Sequence, residues 1–191
     1  MVKLSVLVLS LLERNSQGLL RELSYQAQKF NYQVLWLGDN FSMTTGEKRN
    51  KLLSIADGEY ICFVDDDDIV DPSYLKEINE SLESNPDLVT FQSFETENER
   101  PKRVWRFSEN VSRHIREPGL KINNVPVLNC PPNHLCVWRK SLIPPNPFPK
   151  KTKSEDHDFA QMMYGKAKTA VHLDKILYYY QFNTSTSRGR K

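Results

Sequence analysis

Glu59-Tyr60-Ile61-Cys62-Phe63-Val64-Asp65-Asp66-Asp67-Asp68 is the stretch that decides the fold of this chain. Apolar residues at Tyr60, Ile61, Phe63 and Val64 follow one another without alternation. That is the pattern of a strand covered on both faces, and it runs straight into four carboxylates. Upstream, residues 2–10 are rich in Val and Leu and predict a second strand of this kind, and residues 33–37 predict a short third one. Between these two, Leu19, Leu20, Leu23, Ala27 and Phe30 recur at helical spacing behind Asn15 or Ser16 as a cap. Residues 47–56 predict another helix, with Leu52, Leu53 and Ala56 inward and Asp57-Gly58 as its glycine stop. Beyond the carboxylates, Asp71 and Pro72 predict the start of a third helix, with Leu75, Ile78 and Leu82 on one face and Asn85-Pro86 at its end. The resulting order, βαβαβα, implies a parallel sheet with right-handed crossovers. Ligands of such sheets bind at the carboxyl ends of the strands, where the four aspartates lie.

The pattern then changes. Residues 88–95 and 103–107 predict two strands around a charged turn at 97–102, which makes the sheet mixed. Residues 108–153 carry many prolines and little periodicity and predict loop, with strand character only at 135–138. Residues 155–168 predict a last helix, and 170–173 and 176–181 two short strands. One domain over residues 1–182 follows, with residues 183–191 as a polar, mobile tail.

Composition narrows the function. The 191 residues are 39% hydrophobic and 26% charged, enough to bury a core, and the net charge of +2 lacks the basic excess of a nucleic-acid binder. The longest apolar opening, residues 4–12, contains Ser5 and Ser10 and falls short of the ~20 residues that cross a bilayer, so no integral membrane segment is expected. No small-residue cleavage site follows it. Cys62, Cys130 and Cys136 are few and odd in number, which predicts free thiols in a reducing, cytoplasmic compartment.

Four adjacent carboxylates repel one another, and a divalent cation relieves that repulsion. Alternation along an extended chain would turn Asp65 and Asp67 to one side and Asp66 and Asp68 to the other, so Asp65 and Asp67 are the expected metal pair. Hard carboxylate oxygens suit Mg²⁺ or Mn²⁺, which keep positions open for substrate phosphates. The competing reading is a solvated acidic turn. An EF-hand starting at Asp65 is excluded, because Val70 and Lys76 stand where glycine and glutamate are required. An aspartyl nucleophile of phosphatase type fits less well. Lys48 and Arg49, in Gly46-Glu47-Lys48-Arg49-Asn50, lie on the same side of the sheet and could bind phosphate or form a solvated helix face. Glu155-Asp156-His157-Asp158 opens a helix, so its carboxylates either cap that helix or supply a general base, and spacing does not choose between them. Cys130, His134 and Cys136 lack a fourth partner and a paired knuckle for zinc. Tyr178-Tyr179-Tyr180 fits strand packing better than a sugar platform.

In sequence order, Gly46-Glu47-Lys48-Arg49-Asn50, Ala56-Asp57-Gly58-Glu59-Tyr60-Ile61, the aspartate run and Glu155-Asp156 together resemble family 2 glycosyltransferases of the GT-A fold. The resemblance spans most of residues 2–182 and is strongest over 48–68. It implies a mixed, mostly parallel sheet flanked by helices with a Rossmann-like nucleotide-binding half. It also implies a metal-dependent, inverting transferase that moves a sugar from a nucleoside-diphosphate-sugar, a UDP- or GDP-sugar, to a hydroxyl acceptor. By the same resemblance Asp65 and Asp67 are the D-x-D pair that holds Mn²⁺ or Mg²⁺, and Asp156 is the catalytic base. Asp39 contacts the base of the nucleotide, and Lys48, Arg49 and Asp66 complete the donor-binding set. Ser10 and Leu11 stand where the family often has proline and threonine. The chain is short for the family, which predicts that a large acceptor-binding extension is missing, and nothing C-terminal resembles the membrane helices of processive synthases. A nucleotidyltransferase, or a catalytically inactive module that binds a nucleotide or sugar, are the alternative readings.

Overall fold

Continuous apolar runs set the centre of the first half of the sheet. In the computed structural model, which describes residues 2–183, Leu4–Leu11 forms β1, and every residue from Leu4 to Ser10 is buried. β1 lies between two parallel neighbours, β2 (Tyr32–Asp39) and β3 (Tyr60–Asp65), with Leu9 in register with both Leu37 and Asp65. Full burial of a Leu or Val side chain contributes about 1.5–3 kcal/mol, so this central strand anchors the sheet.

Three helices cover that half: α1 (Gln17–Ala27), α2 (Thr45–Ile55) and α3 (Tyr74–Ser81). α2 begins in a capping box. Thr44 Oγ1 accepts from the Glu47 amide at 3.2 Å, and the Glu47 carboxylate accepts from the Thr44 amide at 2.9 Å. The end of α2 differs from the sequence expectation, because Ala56 leaves the helix with extended backbone and Gly58 is not left-handed. Gly58 is needed for a close approach: a side chain there would strike the Ser5 amide of β1. α3 also starts later than expected. Asp71 accepts from the Ser73 amide at 2.8 Å in an Asx turn, and Ser73, not Asp71, is the N-cap. Gln26 joins α1 to α3, donating to the Asp71 carbonyl at 3.0 Å and accepting from the Leu75 amide at 2.9 Å.

The second half of the sheet is mixed. β5 (Leu88–Glu97) and β6 (Arg100–Phe107) form a hairpin whose turn residues Asn98 and Glu99 both have positive φ, 50° and 65°. The stretch expected to be loop contains a second hairpin, β7 (Ile115–Ile122) and β8 (Val125–Cys130), turned at Asn123 and Asn124 with φ of 51° and 65°. Asparagine tolerates left-handed backbone, so this pair makes the turn that Asn-Gly commonly makes. Periodicity missed it because β7 is an edge strand with polar residues on both faces and a proline, Pro118, inside it. β9 (Val137–Arg139) inserts between β3 and β5, antiparallel to both. The strand order is β2-β1-β3-β9-β5-β6-β8-β7.

The last helix, α4 (Glu155–Met163), is shorter than expected and is followed by Gly165 at φ 73°. The two expected C-terminal strands are one, β10 (Ala170–Phe182), which runs parallel to β5 with bulges near Ile176 and pairs at Tyr178 and Tyr179 with the short β4 (Ile69–Val70). Among the described residues no helix is long and apolar enough to cross a membrane. The tail expected at 183–191 lies, from residue 184 on, outside the described residues.

Candidate active site

The strand character of β3 stops at Asp65, and the chain turns there, with the Asp68 amide donating to the Asp65 carbonyl at 3.2 Å. The turn cancels the expected alternation, so the four carboxylates go to different partners instead of two faces. Asp66 is buried and accepts from Ser10 Oγ at 2.8 Å, from the Leu11 amide at 3.1 Å and from Arg14 Nη1 at 2.5 Å. Asp68 is buried on the other side, where it accepts from Tyr178 Oη at 2.6 Å and the Gln181 amide at 2.8 Å. Burial, then Asp65 and Asp67, push the Asp68 carboxyl well above its ordinary range.

Asp65 and Asp67 remain the half-open pair, with side chains 26% and 36% exposed. Asp65 accepts from Arg49 Nη2 at 3.1 Å, and His134 Nε2 stands 3.4 Å from its second oxygen. Burial alone would raise this carboxyl, but Arg49 and His134 outweigh it and hold it below the usual range. Asp67 goes the other way. Burial raises it, Arg14 Nη1 at 2.9 Å opposes, and Asp65 and Asp66 add to the rise, so that it reaches about 6. Two partly exposed carboxylates, Asp67 raised by burial and then by Asp65 and Asp66, suit a hard divalent cation that takes its other oxygens from water and phosphate. Among the described residues no group of three or more His, Cys, Asp or Glu is placed to hold a metal ion by itself.

Arg49, expected at the phosphates, is nearly fully buried and joins the aspartates to α4. Its Nε donates to Glu155 Oε1 at 3.3 Å, and its guanidinium lies 5.2 Å from the Phe63 ring centre. Arg49 Nη1 and His134 Nδ1 are buried without a hydrogen-bond partner among the described residues. Lys48 is buried too, donating to Asp39 at 2.8 Å and to the Ser10 carbonyl at 3.0 Å. Asp39 also accepts from Ser42 Oγ at 3.0 Å and the Met43 amide at 2.8 Å. Burial raises its carboxyl, but these donors, Lys48 first, bring it below the ordinary value. Lys48 and Asp39 thus brace the ends of β1 and β2.

At the start of α4, Ser154 is the N-cap without a side-chain cap bond, so the helix is not capped in the way that spacing allowed. Glu155 is buried on Arg49, and Asp158 pairs with Lys151 at 2.6 Å. Asp156 lies between them, half-buried, with no hydrogen bond or ion pair to it among the described residues. Gly46 sets this end of the site: its amide donates to the Lys151 carbonyl at 3.1 Å, and a side chain there would collide with the Pro149 carbonyl oxygen.

Sequence reasoning missed Ser10, Arg14, His134 and Tyr178. Ser10 does what a proline at that position could not, donating a hydroxyl to Asp66. Tyr178 was visible only as one of three packing tyrosines, although its hydroxyl also accepts from the Asp65 amide at 3.0 Å.

The Glycosyl transferase family 2 model matches residues 14–143. No curated protein sequence matches the chain. Among solved structures, that of S. aureus TarS superposes with a TM-score of 0.63 at 22% identity, over 94% of this chain and 36% of that one. S. aureus TarS 1-349 in complex with UDP-GlcNAc gives 0.58 at 21% identity, over 94% and 58%. The same fragment with UDP gives 0.57 at 21% identity, over 94% and 60%. The chain therefore spans between about a third and three fifths of the length of these structures. The architecture expected from the sequence, a GT-A-like mixed sheet flanked by helices, is the one observed.

Proposed function

Since the chain belongs to glycosyl transferase family 2, we propose that it transfers a sugar, with inversion, from a nucleoside diphosphate sugar to a hydroxyl acceptor. The UDP-GlcNAc and UDP complexes of TarS support a uridine donor. One observation carries the reading: the half-open pair Asp65 and Asp67 and the unengaged Asp156 are joined through a single buried residue, Arg49, which pairs with Asp65 and with Glu155 beside Asp156.

In this reading Asp65 and Asp67 hold Mn²⁺ or Mg²⁺. A cation held there would supply Lewis acidity for the departure of the diphosphate. Asp156 accepts the acceptor's hydroxyl proton as its oxygen attacks the anomeric carbon, with the diphosphate leaving from the opposite face. Arg49 ties the two carboxylate sites together through Asp65 and Glu155. Asp66, by contrast, is engaged by Ser10, the Leu11 amide and Arg14 and orients Arg14 and the end of β1.

A ligand that binds only the folded state raises the melting temperature. UDP with Mn²⁺ is expected to raise it more than UDP or Mn²⁺ alone, and UDP-GlcNAc with a suitable acceptor is expected to release UDP. No response to any nucleoside diphosphate with either cation would reject the proposal.

A further inference from the structure

The structure assigns a role to the face of β5 and β6 beside Asp156: we propose that Arg103 and Trp105 form an acceptor subsite. It takes an acceptor that carries a negatively charged group, phosphate or carboxylate, next to its reacting hydroxyl. This inference rests on the sugar-transfer reading above.

The anchor is Glu95 on β5, buried to 4% exposure. Its Oε2 accepts from the Trp105 indole N–H at 2.7 Å and from Arg103 Nε at 3.0 Å, and Lys102 Nζ lies 3.1 Å from its Oε1. One buried carboxylate with three donors fixes the rotamers of Arg103 and Trp105 before any ligand arrives. The guanidinium lies 5.0 Å from the Trp105 ring centre. Because Glu95 engages Nε, the two terminal NH₂ groups of the quarter-exposed Arg103 remain for a ligand, and that planar fork matches phosphate or carboxylate oxygens.

Its place in the fold puts this pair at the acceptor side. His114 packs on Trp105 at 5.1 Å between ring centres. Gln161 of α4 donates to the Ser112 carbonyl at 3.2 Å, tying the segment between β6 and β7 to the helix that opens with Asp156. His114 sits in one electrostatic neighbourhood with both: burial, then His157 and Arg103, lower its pKa while Asp156 acts against them. On the other flank Tyr180, in register with Glu95, feels the charges of Asp65, Asp67 and Asp68. Tyr180, Glu95, Arg103, Trp105 and His114 thus form a connected series on this face, and its far end is held to α4.

Charge selects the ligand. Residues 100–122 hold seven Lys and Arg against two Glu, in a chain whose net charge is only +2. One of those two, Glu117, pairs with Arg106, while Arg113 and Arg116 are exposed with no acidic partner among the described residues. An anionic acceptor would be repelled by the aspartate run and by Asp156 everywhere except at this cluster. A neutral acceptor has no use for a preorganised guanidinium fork.

The test uses the whole chain with saturating UDP and Mn²⁺, following the Trp105 indole N–H by NMR, with Trp105→Phe to assign it. The probes are glycerol 3-phosphate and methyl glucuronide, each against its neutral counterpart, glycerol and methyl glucoside. The two anionic probes should shift the Trp105 signal at concentrations at which the neutral ones do not, and the tighter of the two identifies phosphate or carboxylate as the group. Arg103→Gln should weaken the anionic probe at least about tenfold, the size of a lost charge-assisted bond, and Arg103→Lys should recover part of that loss. Raised salt should weaken it as well. Equal response to charged and neutral probes, or unchanged binding in Arg103→Gln, overturns the subsite. Loss of UDP binding in Arg103→Gln would put Arg103 on the donor and overturn it equally. If UDP itself fails to bind the unsubstituted chain, the transferase reading falls and this inference with it, whereas bound UDP with a silent Trp105 removes this inference alone.

Discussion

Between Leu4 and Asn85 the charged side chains around the site are buried or half-buried and already matched: Lys48 on Asp39, Arg14 on Asp66, Arg49 on Asp65. Between Leu88 and Phe182 the cations of β6 and β7 are half-buried or exposed, and only Glu95 gathers them on a buried carboxylate. In the first region the charges fix geometry, and substitution there should damage the fold. In the second they face solvent, and substitution should damage recognition and leave the fold alone.

The sharpest way to break this contrast is Arg49→Ala. It strips the buried Glu155 and the half-open Asp65 of their shared, buried cation and should cost about 3–5 kcal/mol in urea denaturation. Arg113→Ala, on the exposed cluster, should stay within about 0.5 kcal/mol of the parent. Similar losses for the two would erase the distinction.

A smaller effect is expected at Tyr178→Phe. The buried Asp68 loses its hydroxyl donor and the Asp65 amide loses its acceptor, a combined cost of about 1–3 kcal/mol. Metal affinity, read by titrating Mn²⁺ with UDP present, should fall too, because Tyr178 sets the turn that presents Asp65 and Asp67. A stable variant with unchanged Mn²⁺ affinity would show that Tyr178 only packs.

Asp67→Asn probes the repulsion within the run, and its sign depends on pH. The Asp67 carboxyl lies at about 6 when folded, above its ordinary 3.8. The folded state therefore holds this proton over a window in which the unfolded chain has released it. Stability falls as pH rises from about 4 to 6, and the loss persists above. Without metal, Asp67→Asn should melt higher than the parent at pH 7–8, and the gain should vanish below pH 4. With Mn²⁺ the order should reverse. A metal-free gain that is the same at pH 3.5 and pH 7.5 would point to a cause other than charge.

The same contrast explains what the sequence made legible. β1, β3 and the helices on them came from apolar patterning because both faces of these two strands are covered, so burial is written in the letters, while the edge strand β2 is only partly buried. β7 and β8 did not, because an edge strand such as Ile115–Ile122 carries no alternation and its turn rests on two asparagines in left-handed backbone. The aspartate run was legible as a site, but the roles within it were not. A turn starting at Asp65 redistributes the side chains, and partners such as Ser10 and Tyr178 lie 56 and 110 residues from the aspartates they hold. Asp156 was visible only by its place beside Glu155. Its freedom from any hydrogen bond or ion pair among the described residues is a property of the fold.

The proposed role of Asp156 as the general base of a sugar transfer depends on that freedom. The direct measurement is the transfer rate of Asp156→Asn, taken together with its UDP affinity in Mn²⁺ and its melting temperature. Asparagine keeps the shape of the side chain but cannot accept the proton, so UDP binding and melting should stay near the parent while turnover falls about 10²-fold or more. An Asp156→Asn variant that transfers at the parent's rate would contradict the assignment.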